Sequence, residues 1–337
     1  MPGSSDLRHL DLAHLPTPFE HAARFSAEIT SRQIWIKRDD CTGLAFGGNK
    51  ARKLEYLMAA ARAAESDAVI TFGGVQSNHT RMTAAAARRL GLDCSLILAG
   101  SPPETMDGNL MLNRILGATL TFLSLAPHEL TPEVVARALE AERVRLQSKG
   151  RRPFVIGPGG STPLGVQGYR RGFEEIMRDA RERNITVDRI VVAFGTGGTL
   201  AGLVLGNVLA GRPVRITGIS VAPPGMPEAL GVPPLRALVE EGARCAGSEI
   251  SLRDDDIQVL YDYAGPAYAA PTTEGLEAIR SFVRTEGIFL DPVYTGKGMA
   301  GLIDLCRRNL IAADERTVFI HTGGTPALFA YRKVLAP

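Results

Sequence analysis

The chain is short of paired cysteines, of net charge and of long apolar runs, and each shortage closes off a class of function. Its four cysteines, Cys41, Cys94, Cys245 and Cys306, lie far apart with no C-x-x-C spacing. Neither a zinc site nor a disulfide framework is therefore supported, and reduced thiols in the cytoplasm are the expectation. Cys41 reads as a small packed residue. The six histidines show no H-E-x-x-H or similar spacing, so no metal site is expected. Thirty-eight basic residues against 36 acidic ones leave a charge of +2. That gives no field to draw the chain to nucleic acid or to a membrane surface. Pairs such as Arg151-Arg152 and Arg170-Arg171 lack interleaved aromatics and read as solvated faces. No uncharged stretch reaches the length of a membrane span, and the first twenty residues lack the apolar core of a signal peptide. A serine-hydrolase G-x-S-x-G elbow, a fixed-period repeat and low-complexity segments are also absent.

What is present is an alternation of short Val/Ile-rich runs with segments of helical period. At 337 residues the chain is long enough for two lobes. Buried strands are expected at 68–72, 93–99, 119–123, 189–194, 214–220 and 317–321. Helices are expected after Lys50, where Leu54, Leu57, Met58 and Ala61 share one face, from Asn78 to Leu90, and from Thr272 to Glu286. Such alternation gives an α/β protein with mainly parallel sheet. Ligands in these sheets sit beyond the carboxyl ends of the strands, so the loops there matter most.

Four of those loops can carry chemistry. Gly195-Thr196-Gly197-Gly198-Thr199 follows a strand and opens a helix, so its backbone N–H groups can approach an anion. The next strand ends in Ser-Val-Ala-Pro-Pro without the acid that a dinucleotide ribose needs, and no G-K-[ST] follows. A small monophosphate fits better, although a tight turn without a ligand explains this loop as well. Gly47-Gly48-Asn49-Lys50 puts a lysine at a helix start, where the dipole disfavours a cation and favours a free amine. Arg52 and Lys53 read as surface residues, and a solvated Lys50 is the bland alternative. Ser77, Asn78 and His79 offer hydroxyl, amide and N–H groups suited to a carboxylate, or simply an N-cap. Tyr294 and Thr322 lie on loops after apolar runs.

Taken in order, IWIKRDD, GGNKARKLE, GGVQSNHTR, GTGGT, LDPVYTGKGMAG and HTGGTPALFAY resemble the 1-aminocyclopropane-1-carboxylate deaminase and D-cysteine desulfhydrase family. These are fold-type II enzymes that use pyridoxal 5'-phosphate, and the resemblance runs from about Leu15 to Tyr331. It implies a large cofactor domain (1–52 and 161–337), a smaller inserted α/β domain (53–160), and a homodimer. It implies that Lys50 holds the cofactor as a Schiff base and moves the substrate Cα proton. Asn78 would bond the cofactor ring oxygen and Gly195 to Thr199 would cradle its phosphate. Ser77, with Asn78 and His79, would receive the carboxylate of a small amino-acid substrate. Tyr294 would lie against the ring and Tyr268 would face the substrate. Ring-opening deaminases are similar but carry Glu in place of Thr295 and Leu in place of Thr322. A carboxylate at the ring nitrogen strengthens the electron sink, and a threonine does so less. The pattern therefore favours α,β-elimination from D-cysteine, giving pyruvate, hydrogen sulfide and ammonia. L-cysteate sulfo-lyase and ring opening are the alternatives. Lys50→Ala is expected to abolish both turnover and the visible band of a lysine-bound cofactor. An absorption spectrum and a rate measurement check this, and full turnover would refute it.

Overall fold

The computed structural model describes residues 7–29 and 33–335. Ten strands run in chain order: β1 (Phe19–His21), β2 (Gln33–Lys37), β3 (Ala68–Gly74), β4 (Asp93–Ala99), β5 (Thr119–Leu123), β6 (Pro153–Ile156), β7 (Arg189–Phe194), β8 (Arg215–Ser220), β9 (Gln258–Leu260) and β10 (Arg316–Ile320). They form two sheets. The six-stranded sheet has the order β1-β2-β10-β7-β8-β9 and is parallel except for the β1–β2 pair. The four-stranded sheet, β5-β4-β3-β6, is wholly parallel. The second sheet is inserted in the sequence of the first, the arrangement that the resemblance implies. All six expected strands form, three with the expected bounds and three with ends shifted by a residue or two. Strands β1, β2, β6 and β9 are additions: β1, β6 and β9 are sheet-edge strands of three or four residues with few apolar positions, and β2 is a five-residue inner strand whose apolar run is only Ile34-Trp35-Ile36. No helix among the described residues is long and apolar enough to cross a membrane.

Both sheets are covered on both faces, as parallel sheets must be. In β7 every residue is buried, and the two-residue period divides them. Ile190, Val192 and Phe194 face helices Pro163–Glu182 and Gly198–Leu209, while Val191 faces helices Thr273–Glu286 and Thr295–Arg307. Each large apolar side chain sealed this way contributes about 1.5–3 kcal/mol. Helices Pro163–Glu182 and Gly198–Leu209 approach unusually closely at Gly202. A Cβ there would stand 2.4 Å from the Tyr169 Cβ and 2.5 Å from the Val166 carbonyl oxygen. In the smaller sheet Val69 and Leu96 pack toward helices Lys50–Ala63 and Asn78–Arg89. Ala68 and Ile70 pack toward helix Pro132–Gln147.

The surface reading of Arg52 and Lys53 is overturned: each is only 1% exposed. Arg52 forks onto Asp39 (Nε–Oδ2 2.7 Å, Nη2–Oδ1 2.8 Å) and onto Glu175 (Nη1–Oε2 2.9 Å, Nη2–Oε1 2.8 Å). Lys37 Nζ lies 2.7 Å from Glu175 and 2.5 Å from Asp179, and the Tyr169 hydroxyl donates to Asp39. Arg170 is also buried, bonding Gln167 and Glu174 rather than facing solvent. The network ties the chain just before and after Lys50 to helix Pro163–Glu182.

Removing one partner strands a buried charge. Arg52→Met is therefore expected to cost about 3–5 kcal/mol in a denaturant titration. Burial alone would raise the Glu175 carboxyl, but Arg52 and Lys37 outweigh it and hold it at about 2. A depressed carboxylate contributes stability that is present above its ordinary value of 4.5 and is lost as pH falls toward about 2. Glu175→Gln should flatten the stability profile in that acid window.

Candidate active site

The loops at the carboxyl ends of β3, β4 and β7 enclose a cavity of about 370 Å³ between the two sheets. Lys50, Ser77, Asn78, His79, Gly195, Thr196, Gly197, Thr199, Tyr268, Tyr294 and Thr322 all line it. Gly198 does not, since its N–H is turned to the Ser161 hydroxyl, 3.0 Å away.

Lys50 is the first residue of its helix. The turn before it needs glycine: Gly47 has φ +67°, and a Cβ there would sit 1.9 Å from the Asp40 carbonyl oxygen. The turn is pinned on both sides, by Gly48 N–H to Asp39 O (2.9 Å) and by Asn49 N–H to Thr322 O (3.0 Å). The Lys50 amine donates to Asn49 Oδ1 (2.9 Å) and lies 5.9 Å from the Tyr294 ring centre. Burial, then the positive charge of Arg81, pull it down to about 8, with Asp291 opposing. Burial and the neighbouring Tyr268 push the Tyr294 phenol well above its ordinary value. The two tyrosine hydroxyls hydrogen-bond each other.

The anion cradle is richer than the glycine loop alone. Lys53, one turn after Lys50, donates to Gly159 O (3.0 Å). A Cβ on Gly198 would come within 2.9 Å of its Nζ. Burial and Lys50 hold Lys53 well below the ordinary lysine value, and an anion at the loop would favour its charged form. Ser161 donates to Thr196 Oγ1 (2.8 Å), and Asn49 Nδ2 donates to Thr199 Oγ1 (2.9 Å). Glycines without Cβ atoms, a helix N-terminus and a buried lysine suit a phosphate monoester. Spacing could have exposed Lys53, because i and i+3 share a helix face. Ser161 and Asn49 carry no comparable signal.

The carboxylate-suited cluster is partly an N-cap. Ser77 Oγ accepts from His79 N (3.2 Å) and Thr80 N (3.4 Å), and Asn78 Oδ1 accepts from Asn109 (2.9 Å). Thr71 donates its hydroxyl to Ile156 O (2.8 Å), so it must accept from His79 Nε2–H (2.8 Å). Burial, then Lys50 and Lys53, keep that imidazole neutral. Its ring supplies no cation for a substrate, and any help from His79 comes through its main chain. Thr295 is buried away from the cavity. It accepts from Asp291 N (2.7 Å) and donates to Asp291 Oδ1 (2.8 Å). Of the two threonines that the sequence singles out, Thr322 is the one at the cavity wall. No aspartate or glutamate lines the cavity among the described residues. Lys297 was missed by the sequence reading. Its buried Nζ donates to Val221 O (3.1 Å) and Ala264 O (2.6 Å), joining the end of β8 to the segment that carries Tyr268. Cys41, expected to be packed, is exposed.

Lys53→Met should weaken binding of a phosphate-bearing cofactor by roughly tenfold to a hundredfold, the worth of one charge-assisted hydrogen bond. Titration of the cofactor-free chain by fluorescence quenching measures this, and unchanged affinity would refute it.

Comparison with known proteins identifies the family. The family model described as pyridoxal-phosphate dependent enzyme matches residues 10–323. A protein of Pyrococcus horikoshii with the provisional name 1-aminocyclopropane-1-carboxylate deaminase is 41% identical over 96% of this chain and 93% of its own. One of Pyrococcus furiosus with the same provisional name is 38% identical over 97% and 95%. The crystal structure of an ACC deaminase homologue superposes with a TM-score of 0.87 at 38% identity, covering 99% of this chain and 98% of that one. The processed form of threonine deaminase isoform 2 from Solanum lycopersicum shares the fold, with a TM-score of 0.65 at 19% identity over 97% and 84%. The chain is therefore a pyridoxal-phosphate dependent enzyme of fold type II, belonging to the 1-aminocyclopropane-1-carboxylate deaminase and D-cysteine desulfhydrase family.

Proposed function

We propose that the enzyme deaminates a small amino acid by α,β-elimination, with D-cysteine as the lead substrate. The observation that carries this reading is a cavity wall without a carboxylate, with Thr322 contributing a neutral hydroxyl. Bound there, pyridoxal phosphate supplies an electron sink conjugated with the substrate Cα. The chain supplies the rest. The Gly195 to Thr199 loop and Lys53 hold the phosphate, and Asn78 orients the ring. Lys50 would carry the cofactor and, as a free amine, would take the substrate Cα proton. An amine brought down to about 8 is partly free base near neutrality. Ser77 orients the carboxylate through a hydroxyl hydrogen that no capping contact uses. Tyr268 and Tyr294 stand over the reacting centre as neutral phenols. Loss of the Cα proton and of sulfide with the Cβ–S electron pair leaves an enamine, which water converts to pyruvate and ammonium.

Ring opening of 1-aminocyclopropane-1-carboxylate is the second reading, favoured by the names of the Pyrococcus relatives. The missing carboxylate counts against it, because that substrate has no good leaving group and asks more of the electron sink. A sulfonate leaving group would want a cation of its own. The amines at the wall are Lys50 and Lys53, and both have other work. The reading extends to a homodimer in the cytoplasm, with a cofactor domain of 1–52 and 161–337 and a small domain of 53–160.

Sulfide and pyruvate released from D-cysteine, with little 2-oxobutanoate from the cyclopropane substrate, is the expected result of a paired assay. The reverse would hand the function to ring opening.

A further inference from the structure

Arg81 lies on helix Asn78–Arg89 and is 0% exposed. Its Nη2 donates to the Gly47 carbonyl (2.8 Å), at the strained turn just before Lys50. Its Nε and Nη1 have no hydrogen-bond partner among the described residues. The acid that acts on it is Asp291. That carboxylate is already spent on the N–H groups of Val293, Tyr294 and Thr295 and on the Thr295 hydroxyl. A buried cation left this poorly compensated is costly to the fold, which argues that its charge is used. It is absent from the cavity wall, behind Gly47 and Gly48, so a substrate is not its target.

Resting on the reading of Lys50 as the cofactor-bearing lysine, we propose that Arg81 is a positioning residue for it. The guanidinium fixes the turn through the Gly47 carbonyl, and its buried charge favours the free amine at Lys50. The groups that face Lys50 are few. Helix Asn78–Arg89 brings Arg81 and a His79 held neutral, and the next turn of its own helix brings Lys53, also held low. The 291–294 segment brings Asp291, which opposes Arg81, and a Tyr294 held neutral. Burial of Arg81 lowers it only to about 10, so it stays charged wherever the enzyme would work.

The test reads the rate at which the full chain, stripped of cofactor, captures pyridoxal phosphate covalently. The visible band is followed from neutral to alkaline pH. Arg81→Gln should move the midpoint of that profile up by about one unit, roughly tenfold less free amine at a given pH. Arg81→Lys, which keeps the charge, should leave the midpoint near that of the wild type. Asp291→Asn should move it down. A purely structural role would slow capture equally at every pH. A folded Arg81→Gln with an unmoved midpoint overturns the proposal. If Arg81→Gln does not fold, an Asp291→Asn midpoint that rises or stays put overturns it instead. No band in the wild type would overturn the Lys50 reading itself, and a normal wild-type profile with unshifted variants would overturn the Arg81 assignment alone.

Discussion

The fork of Arg52 onto Asp39 and Glu175 is the contact on which the site depends. Asp39 holds the Gly48 N–H through its main chain and Arg52 through its side chain, so the turn from 39 to 52 is closed on itself. Glu175 then fastens that closed turn to helix Pro163–Glu182. Lys50 sits inside this bracket. An ordered lysine at a helix start has to be held there against the helix dipole, and the bracket does the holding with groups that never meet the substrate. Buried ion pairs contribute little net stability over apolar packing. This one's value lies in where it leaves the next side chain.

The electrostatic character of the cavity follows from the same economy of carboxylates. Asp39, Glu175, Asp179 and Asp291 are all buried near the site, yet each is occupied by cations or by main-chain N–H groups. What faces the cavity is therefore positive or neutral: two lysine amines, glycine N–H groups, threonine and tyrosine hydroxyls and a neutral imidazole. Such a surface welcomes a dianionic phosphate and a substrate carboxylate. Among the described residues it offers no carboxylate.

The parts of this arrangement that were legible in the sequence are those with local causes. Apolar runs such as 189–194 announced strands because a parallel strand is buried on both faces. The loops after them announced themselves by glycine. Long motif agreement singled out Lys50, Asn78 and the glycine loop at 195–199, which the structure brings to one cavity. Arg52 was misread because its partner Glu175 is 123 positions away, and nothing adjacent marks an arginine as buried. Thr295 was singled out as a neighbour of the cofactor ring, but it does not line the cavity. Its hydroxyl is closed onto Asp291 by the local turn, a matter of rotamer that residue type does not reveal. His79 shows the same limit: its tautomer is dictated by a threonine on β3 and a carbonyl on β6.

Because the small sheet is inserted into the large one, the chain passes between them twice, and the two passages lie against each other. A Cβ at Gly168 would strike the Arg52 carbonyl oxygen at 2.3 Å, so the outgoing and returning helices touch along their backbones. Two lobes joined this way resemble the boards of a book bound at one spine. Any opening has to turn about that line, leaving Lys50 and Lys53 almost still while the opposite edge travels farthest. At that edge Leu230, on the chain beyond β8, packs against the apolar clusters of both lobes. Away from the spine the lobes are also joined by the Arg332–Asp107 ion pair, so an opening would part a charge contact as well as apolar ones.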